Sequence, residues 1–245
     1  MKLHILGSNS LGNGYVLECD NEALLIEAGV SMRHVEKALK WQLNKLVGAI
    51  VTHEHNDHSA FVKEVTASGC VVLALKEVFA THGLLGKPFT KEIIPFTGYK
   101  VGGFKIKPVP VKHDVPCVGY IIEHDDMGKL LFITDTITFD YLVPGLTAVM
   151  IEANYADDIL NENIAREPKK APQRYRLLNS HMEIGETKRI LSELDLTAVE
   201  NIVLIHLSDA NSDETLFVSE VHDQTFKTVS AAAPGMVIDL SKEPY

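Results

Sequence analysis

Apolar residues along this chain fall in short runs broken by polar and turn-forming positions. Leu3–Leu6, Tyr15–Glu18, Ala23–Ile26, Val47–Val51, Val71–Ala74 and Phe104–Val111 read as strands. Val118–Glu123, Lys129–Ile133, Ala148–Ile151, Asn201–Ile205 and Met236–Leu240 continue the series. The turn signals "DNE", "GNG" and "DDMG" separate several of these runs. Helical spacing joins Val35, Leu39 and Leu43, and again Ile184, Ile190, Leu191 and Leu194. A third helix is predicted from Asp213 to about Thr225, with Leu216, Val218 and Val221 as its apolar positions.

The order is strands, a helix, hairpins, then strands alternating with helices, and the second half loosely repeats the first. That pattern predicts an α/β protein of mixed type: two mixed sheets packed face to face with helices outside, a four-layer αββα sandwich. Residues 1–245 are expected to form one domain. The stretch 154–180 shows no strand pattern and contains "REPKKAPQRYR", with five basic residues and one acidic. It reads as a loop or lid, either a solvated segment with scattered charge or a local patch for a polyanion.

Composition changes this picture little. The chain is 46% hydrophobic and 23% charged, ordinary for a globular protein. No apolar run is long enough to span a membrane, and "MKLHILGSNS" lacks the apolar core of a signal peptide. The cysteines, Cys19, Cys70 and Cys117, are odd in number and far apart, unlike a disulfide framework or a cysteine zinc site. A reducing, cytoplasmic setting is the expectation. A net charge of −10 argues against coating nucleic acid by bulk electrostatics. It leaves room for an enzyme in which bound cations supply a local positive field.

The chemistry concentrates in "IVTHEHNDHSAF", where His53, His55, Asp57 and His58 crowd a loop after a buried strand. Imidazole and carboxylate are ligands for zinc and for harder divalent ions. In an extended segment His53 and His55 share one side. If the chain then turns into a helix, Asp57 and His58 face a second position close by. One loop would serve two adjacent ions.

"THEHNDH" resembles the THxHxDH signature of the metallo-β-lactamase fold superfamily. The resemblance implies further ligands downstream, each at the end of an apolar strand. They are His113 in "VPVKHDVPCVGY", Asp135 in "LLFITDTITF" and His206 in "NIVLIHLSDANS". It implies His53, His55 and His113 on one ion, Asp57, His58 and His206 on the other, and Asp135 shared. The cofactors expected are two divalent metal ions, zinc or manganese, with iron as a further option.

Across nearly the whole chain the resemblance is to the bacterial YycJ/WalJ-like group, which includes DNA exonucleases. It rests on "LGSNSLGNGYVLE", "LLIEAG" (with Glu27 where Asp is usual), "IEANY", "IHLSDAN" and "APGMVIDL". Nuclease branches of the fold place a non-ligand histidine before the last ligand, and His181 in "LLNSHMEIGETKRIL" stands there. The expected activity is a dinuclear phosphodiesterase or nuclease using a metal-bridging hydroxide, with Asp57 and His181 catalytic. Ser8, Ser10, Gly12 and Asn13 are candidate phosphate contacts, and nucleic acid or another phosphodiester is the expected partner, with no membrane. The alternative on the same centre is a small phosphodiester, thioester or lactone as substrate. A metal-binding or regulatory protein without turnover is a different class.

Overall fold

The protein is described from a computed structural model over residues 1–167 and 177–242. It builds two seven-stranded sheets. The first contains β1 (Lys2–Asn9), β2 (Gly12–Glu18), β3 (Ala23–Ile26), β4 (Leu46–Ile50), β5 (Val72–Ala74) and β6 (Thr90–Glu92). The second contains β7 (Tyr99–Val101), β8 (Phe104–Val111), β9 (Cys117–His124), β10 (Gly128–Ile133), β11 (Ala148–Glu152), β12 (Asn201–Ile205) and β13 (Thr228–Ala231). The last strand, β14 (Val237–Asp239), returns to the first sheet beside β1.

Each sheet begins as an antiparallel meander and ends as a parallel array. In the first, β1, β2 and β3 are antiparallel neighbours and β3 to β6 run parallel. In the second, β7 to β10 are antiparallel and β10 to β13 parallel. The carboxyl ends of β3, β4, β8, β10, β11 and β12 therefore reach one pole of the sandwich.

The apolar runs are continuous because their strands are covered on both faces. Along β10, Leu130 and Phe132 point into the core between the sheets, while Leu131 and Ile133 point to the helices outside. Along β3, Leu24 and Ile26 face inward and Ala23 and Leu25 outward. The outer layer of the first sheet is α1 (Met32–Ala38), α3 (Val62–Ala67) and α4 (Lys76–Thr81), placing Val35, Val62, Val65 and Phe79 in one cluster. On the second sheet, α6 (Ile184–Glu193) and α7 (Glu214–Thr225) bury Ile190, Leu191, Phe217 and Val221. The four-layer αββα expectation holds. Tyr120 of β9 donates its hydroxyl to Val51 O at 2.7 Å, and Val118 N donates to Thr52 O at 3.2 Å. These bonds join the two sheets beneath the histidine-rich loop.

The differences from expectation are local. β6, β7 and β13 are short and lack an apolar run, so no pattern marks them. The helices α2 (Asn56–Ser59), α3 and α4 are too short to show a helical period. On α7 the buried position is Phe217, whereas Leu216, expected inward, is 44% exposed. Leu43 opens a separate 3-10 turn, Leu43–Lys45, instead of extending α1. Within the expected loop at 154–180, α5 (Asp157–Arg166) is a helix with Leu160 as its buried residue. Most of the basic run lies at 168–176, outside the described residues. Among the described residues no helix is long and apolar enough to cross a membrane.

Candidate metal centre

The histidine-rich loop leaves β4 at the shared pole. Extended backbone at His55 ends in the single turn of α2, which carries Asp57 and His58. This is the conformation that sends the two pairs of side chains toward two neighbouring positions. His113 follows β8, Asp135 follows β10 and His206 follows β12. All seven side chains singled out in the sequence converge here. His53, His55 and His113 form one group of donors, and Asp57, His58, Asp135 and His206 a second.

The spacing within these groups is informative. Two atoms each bonded at ~2.05 Å to one tetrahedral ion stand about 3.3 Å apart. His113 Nε2 and His55 Nδ1 are 3.2 Å apart. His58 Nε2 and His206 Nε2 each lie 3.4 Å from Asp57 Oδ2. His53 Nε2 lies 3.4 Å from Asp135 Oδ2, which also sits 2.6 Å from His58 Nε2. One oxygen of Asp135 thus stands between the two groups. Among the described residues, His53 Nε2, Asp135 Oδ1 and His206 Nε2 are buried donor-group atoms without a hydrogen bond. An unmet buried polar atom costs about 1–3 kcal/mol, so these orphans fit a metal site held by these residues.

Neighbouring groups set the ring orientations. His53 Nδ1 is 2.9 Å from Thr52 Oγ1, which donates to Glu27 at 2.7 Å. Glu27 Oε1 is also 3.3 Å from His58 Nδ1. His113 Nδ1 donates to Ser180 O at 2.9 Å, leaving Nε2 as its lone-pair atom. Glu152, wholly buried at the end of β11, accepts from His181 Nδ1 at 2.7 Å and lies 3.3 Å from His206 Nδ1. Three of these residues have left-handed backbone just past a strand end: Glu27 (φ 65°), Asp135 (φ 49°) and His206 (φ 54°). Such strain costs on the order of 1–3 kcal/mol each and is typical of functional positions.

Burial and mutual repulsion set the charges. His53 and His113 are pushed below the usual histidine range by burial, against the pull of Asp135, and neighbouring imidazoles add to the lowering. His58 and His206 are equally buried, but Asp135 and the other nearby carboxylates hold them well above it. Asp57 and Asp135 stay ionised despite burial because His58 and His206 bond to them or face them. Burial also opposes charge on His181, yet Glu152 and Asp135 push it up to about 9.

The candidate phosphate turn divides. Ser10 is exposed and lines a half-open cleft of about 440 Å³ with His55, Asp57, Asp135, Leu177, His181 and His206. Ser8 is buried, bonded to Tyr15 at 2.8 Å and accepting from His206 N at 3.0 Å. Asn13, also buried, places Nδ2 3.0 Å from His58 Nε2 and donates to Asn9 O. At Gly12 a side chain would collide with Gly29 O, so the glycine serves close packing. Sequence reasoning did not assign roles to Thr52, Glu152 or Asp114, whose Oδ1 is 3.1 Å from His113 Nε2. The signals available were adjacency to the motif for Thr52 and a carboxylate ending an apolar strand for Glu152.

A family model described as a beta-lactamase superfamily domain matches residues 22–207. The exodeoxyribonuclease YycJ of Bacillus anthracis is 27% identical over 238 residues, covering 88% of this chain and 86% of that protein. In structure the chain is similar to the metallo-beta-lactamase fold protein YhfI of Bacillus subtilis. That match has a TM-score of 0.75 and 18% identity, covering 97% of this chain and 99% of the other. It is also similar to the short form of human tRNase Z, with a TM-score of 0.64, 15% identity, and coverage of 99% and 100%.

Proposed function

The chain belongs to the beta-lactamase superfamily, and on that premise we propose that this hydrolase cleaves phosphodiester bonds at the ends of DNA chains with two divalent cations. The observation that carries the reading is the shared placement of Asp135 Oδ2 between two sets of neutral or displaceable donors, on the floor of a cleft that also exposes His181 and Ser10.

His53, His55 and His113 would hold one ion, Asp57, His58 and His206 the other, and Asp135 both. Bound there, the cations supply water activation at neutral pH and neutralise charge on phosphoryl oxygens. The chain's own groups do the rest. Asp57 is 24% exposed at the cleft, where its second oxygen can accept a hydrogen bond from the attacking water and orient it. Ser10 offers a hydroxyl donor to a phosphoryl oxygen. Glu152 and Asp135 keep His181 protonated on both ring nitrogens, so that Nε2 still carries a proton while Nδ1 donates to Glu152, and Nε2 donates it to the leaving oxygen. The cleft volume suits a ligand of small-molecule size, which fits one terminal nucleotide. DNA as substrate is supported by the relative named an exodeoxyribonuclease.

The test is digestion of end-labelled single- and double-stranded DNA and RNA by protein reloaded with zinc, manganese or iron. Release of mononucleotides from one DNA end is expected. Turnover of small diesters or thioesters without any cleavage of nucleic acid would overturn the proposal.

A further inference from the structure

A second group of donors lies at the other pole. Cys19 and Glu22 flank the turn between β2 and β3 in the first sheet, and His124 ends β9 in the second. A thiol sulfur, a carboxylate oxygen and an imidazole nitrogen from these residues all lie within 4.8 Å of one another. We propose that Cys19, Glu22 and His124 form a three-ligand zinc-type site that ties the two sheets together.

The surroundings are shaped for it. Glu22 already crosses between the sheets, accepting from Gly103 N at 2.8 and 2.9 Å, and its Oε1 is 3.0 Å from His124 Nε2. A side chain at Gly103 would strike both Glu22 and His124, so the glycine turn "VGGF" keeps this space open. The Cys19 thiol donates to Glu22 O at 3.3 Å and borders a half-open cleft of about 850 Å³ that Asp125 and Asp126 also line. Sulfur, nitrogen and oxygen donors in one set select zinc over magnesium or manganese, and three protein ligands leave a fourth position for water. From Asn13 to Cys19 along β2 is about 20 Å at strand rise, so this group is separate from the centre at the other pole.

The protons balance. Cys19 gives its thiol proton to solvent. His124 Nδ1 now accepts from Asp126 N at 3.1 Å, which puts the ring proton on Nε2 facing Glu22. Coordination through Nε2 needs the ring proton on Nδ1, so the Asp126 N–H bond to Nδ1 breaks and the Nδ1–H donates instead to the Asp126 carboxylate, now 3.8 Å away. One proton is released per ion bound.

The experiment is cobalt(II) and zinc(II) titration of the full chain, alongside Cys19→Ser, His124→Asn and His53→Ala/His206→Ala variants. The centre at 53–58 offers nitrogen and oxygen donors alone, so a thiolate-to-cobalt charge-transfer band reports the new site. The expected result is one further equivalent of ion with that band, both lost in Cys19→Ser and His124→Asn, with phosphodiesterase activity kept. The His53→Ala/His206→Ala variant should keep the band while losing activity, which separates this proposal from the proposed function. Absence of the band in the unaltered chain, or its persistence in Cys19→Ser or His124→Asn, would overturn the site.

Discussion

The Thr52 hydroxyl donates to the Glu27 carboxylate at 2.7 Å, and through that bond one buried acid reaches imidazoles of both donor groups. Thr52 Oγ1 contacts His53 on one side, while Glu27 itself faces His58 on the other. Glu27→Ala would strand the Thr52 hydroxyl and backbone N–H, both now bonded to this carboxylate. Groups in this supporting position are commonly worth 10–100-fold in metal affinity. The expected outcome is a loss of about that size for both ions together, together with a stability loss of about 1–3 kcal/mol for the unmet partners. Competitive chelator titration and urea denaturation measure the two effects. Loss of one ion with the other untouched would show that the two halves are not tied through Glu27.

His181→Ala should lower kcat by about 10²–10⁴-fold, the usual contribution of a positioned acid, with both ions still bound by elemental analysis. Glu152 maintains the protonated form. His181 stands at about 9 in the chain without ions, raised above 6.5 by Glu152 and Asp135 against the effect of burial. The sign follows: the proton stabilises the fold fully below pH 6.5, and that contribution disappears as pH rises through about 9. In metal-depleted protein the His181 ring resonances should therefore titrate near 9, and Glu152→Gln should bring the midpoint down toward 6.5. NMR titration decides it, and an unmoved midpoint in Glu152→Gln would place the cause elsewhere.

The loop at 53–58 was legible because its chemistry is local, and the three downstream ligands because the family resemblance implies them at strand ends. His53, His55, Asp57 and His58 occupy one loop, and His113, Asp135 and His206 each follow a run apolar enough to read as a buried strand. β3, β8 and β12 fall on the residues expected, since both of their ends are marked by polar or turn residues. What stayed hidden depends on contacts distant in sequence. Glu152 reads as a strand end until β11 brings it beside His181, 29 positions on. Ser8 and Asn13 share a motif with Ser10, yet the bulge in β1 between Ile5 and Gly7 and the pairing with β2 decide which side chains turn inward. Left-handed backbone at Glu27 has no signature in the sequence, and at Asp135 and His206 the residue type favours it over other non-glycine residues without announcing it.

That division of the turn is itself testable. Ser10→Ala should leave stability within about 0.5 kcal/mol, as for exposed positions generally, while raising KM for a DNA end. Ser8→Ala should do the opposite in kind. It removes the acceptor of the buried His206 N–H, costing about 1–3 kcal/mol and loosening the ion held by His206. Thermal denaturation with steady-state kinetics separates the two, and equal effects on KM from both variants would mean that the whole turn meets substrate.

Metal loading should be coupled to proton release. His58 and His206 are buried, which disfavours their charge, yet Asp135 leads the neighbouring carboxylates in holding both well above 6.5. In metal-depleted protein at neutral pH they keep their protons, and a cation must displace these to reach the ring nitrogens. Apparent affinity should therefore rise with pH, by about tenfold per unit for each proton displaced. The metal-depleted fold should show the linked pattern. The His58 and His206 contributions are complete below 6.5 and decline as pH rises through their raised values. Those of Asp57 and Asp135 are complete above 3.8 and decline as pH falls through their lowered values. Calorimetry in buffers of different ionisation enthalpy counts the protons directly. A count of zero near neutrality would mean that both histidines are already neutral before the ions arrive, and that the carboxylates alone set the affinity.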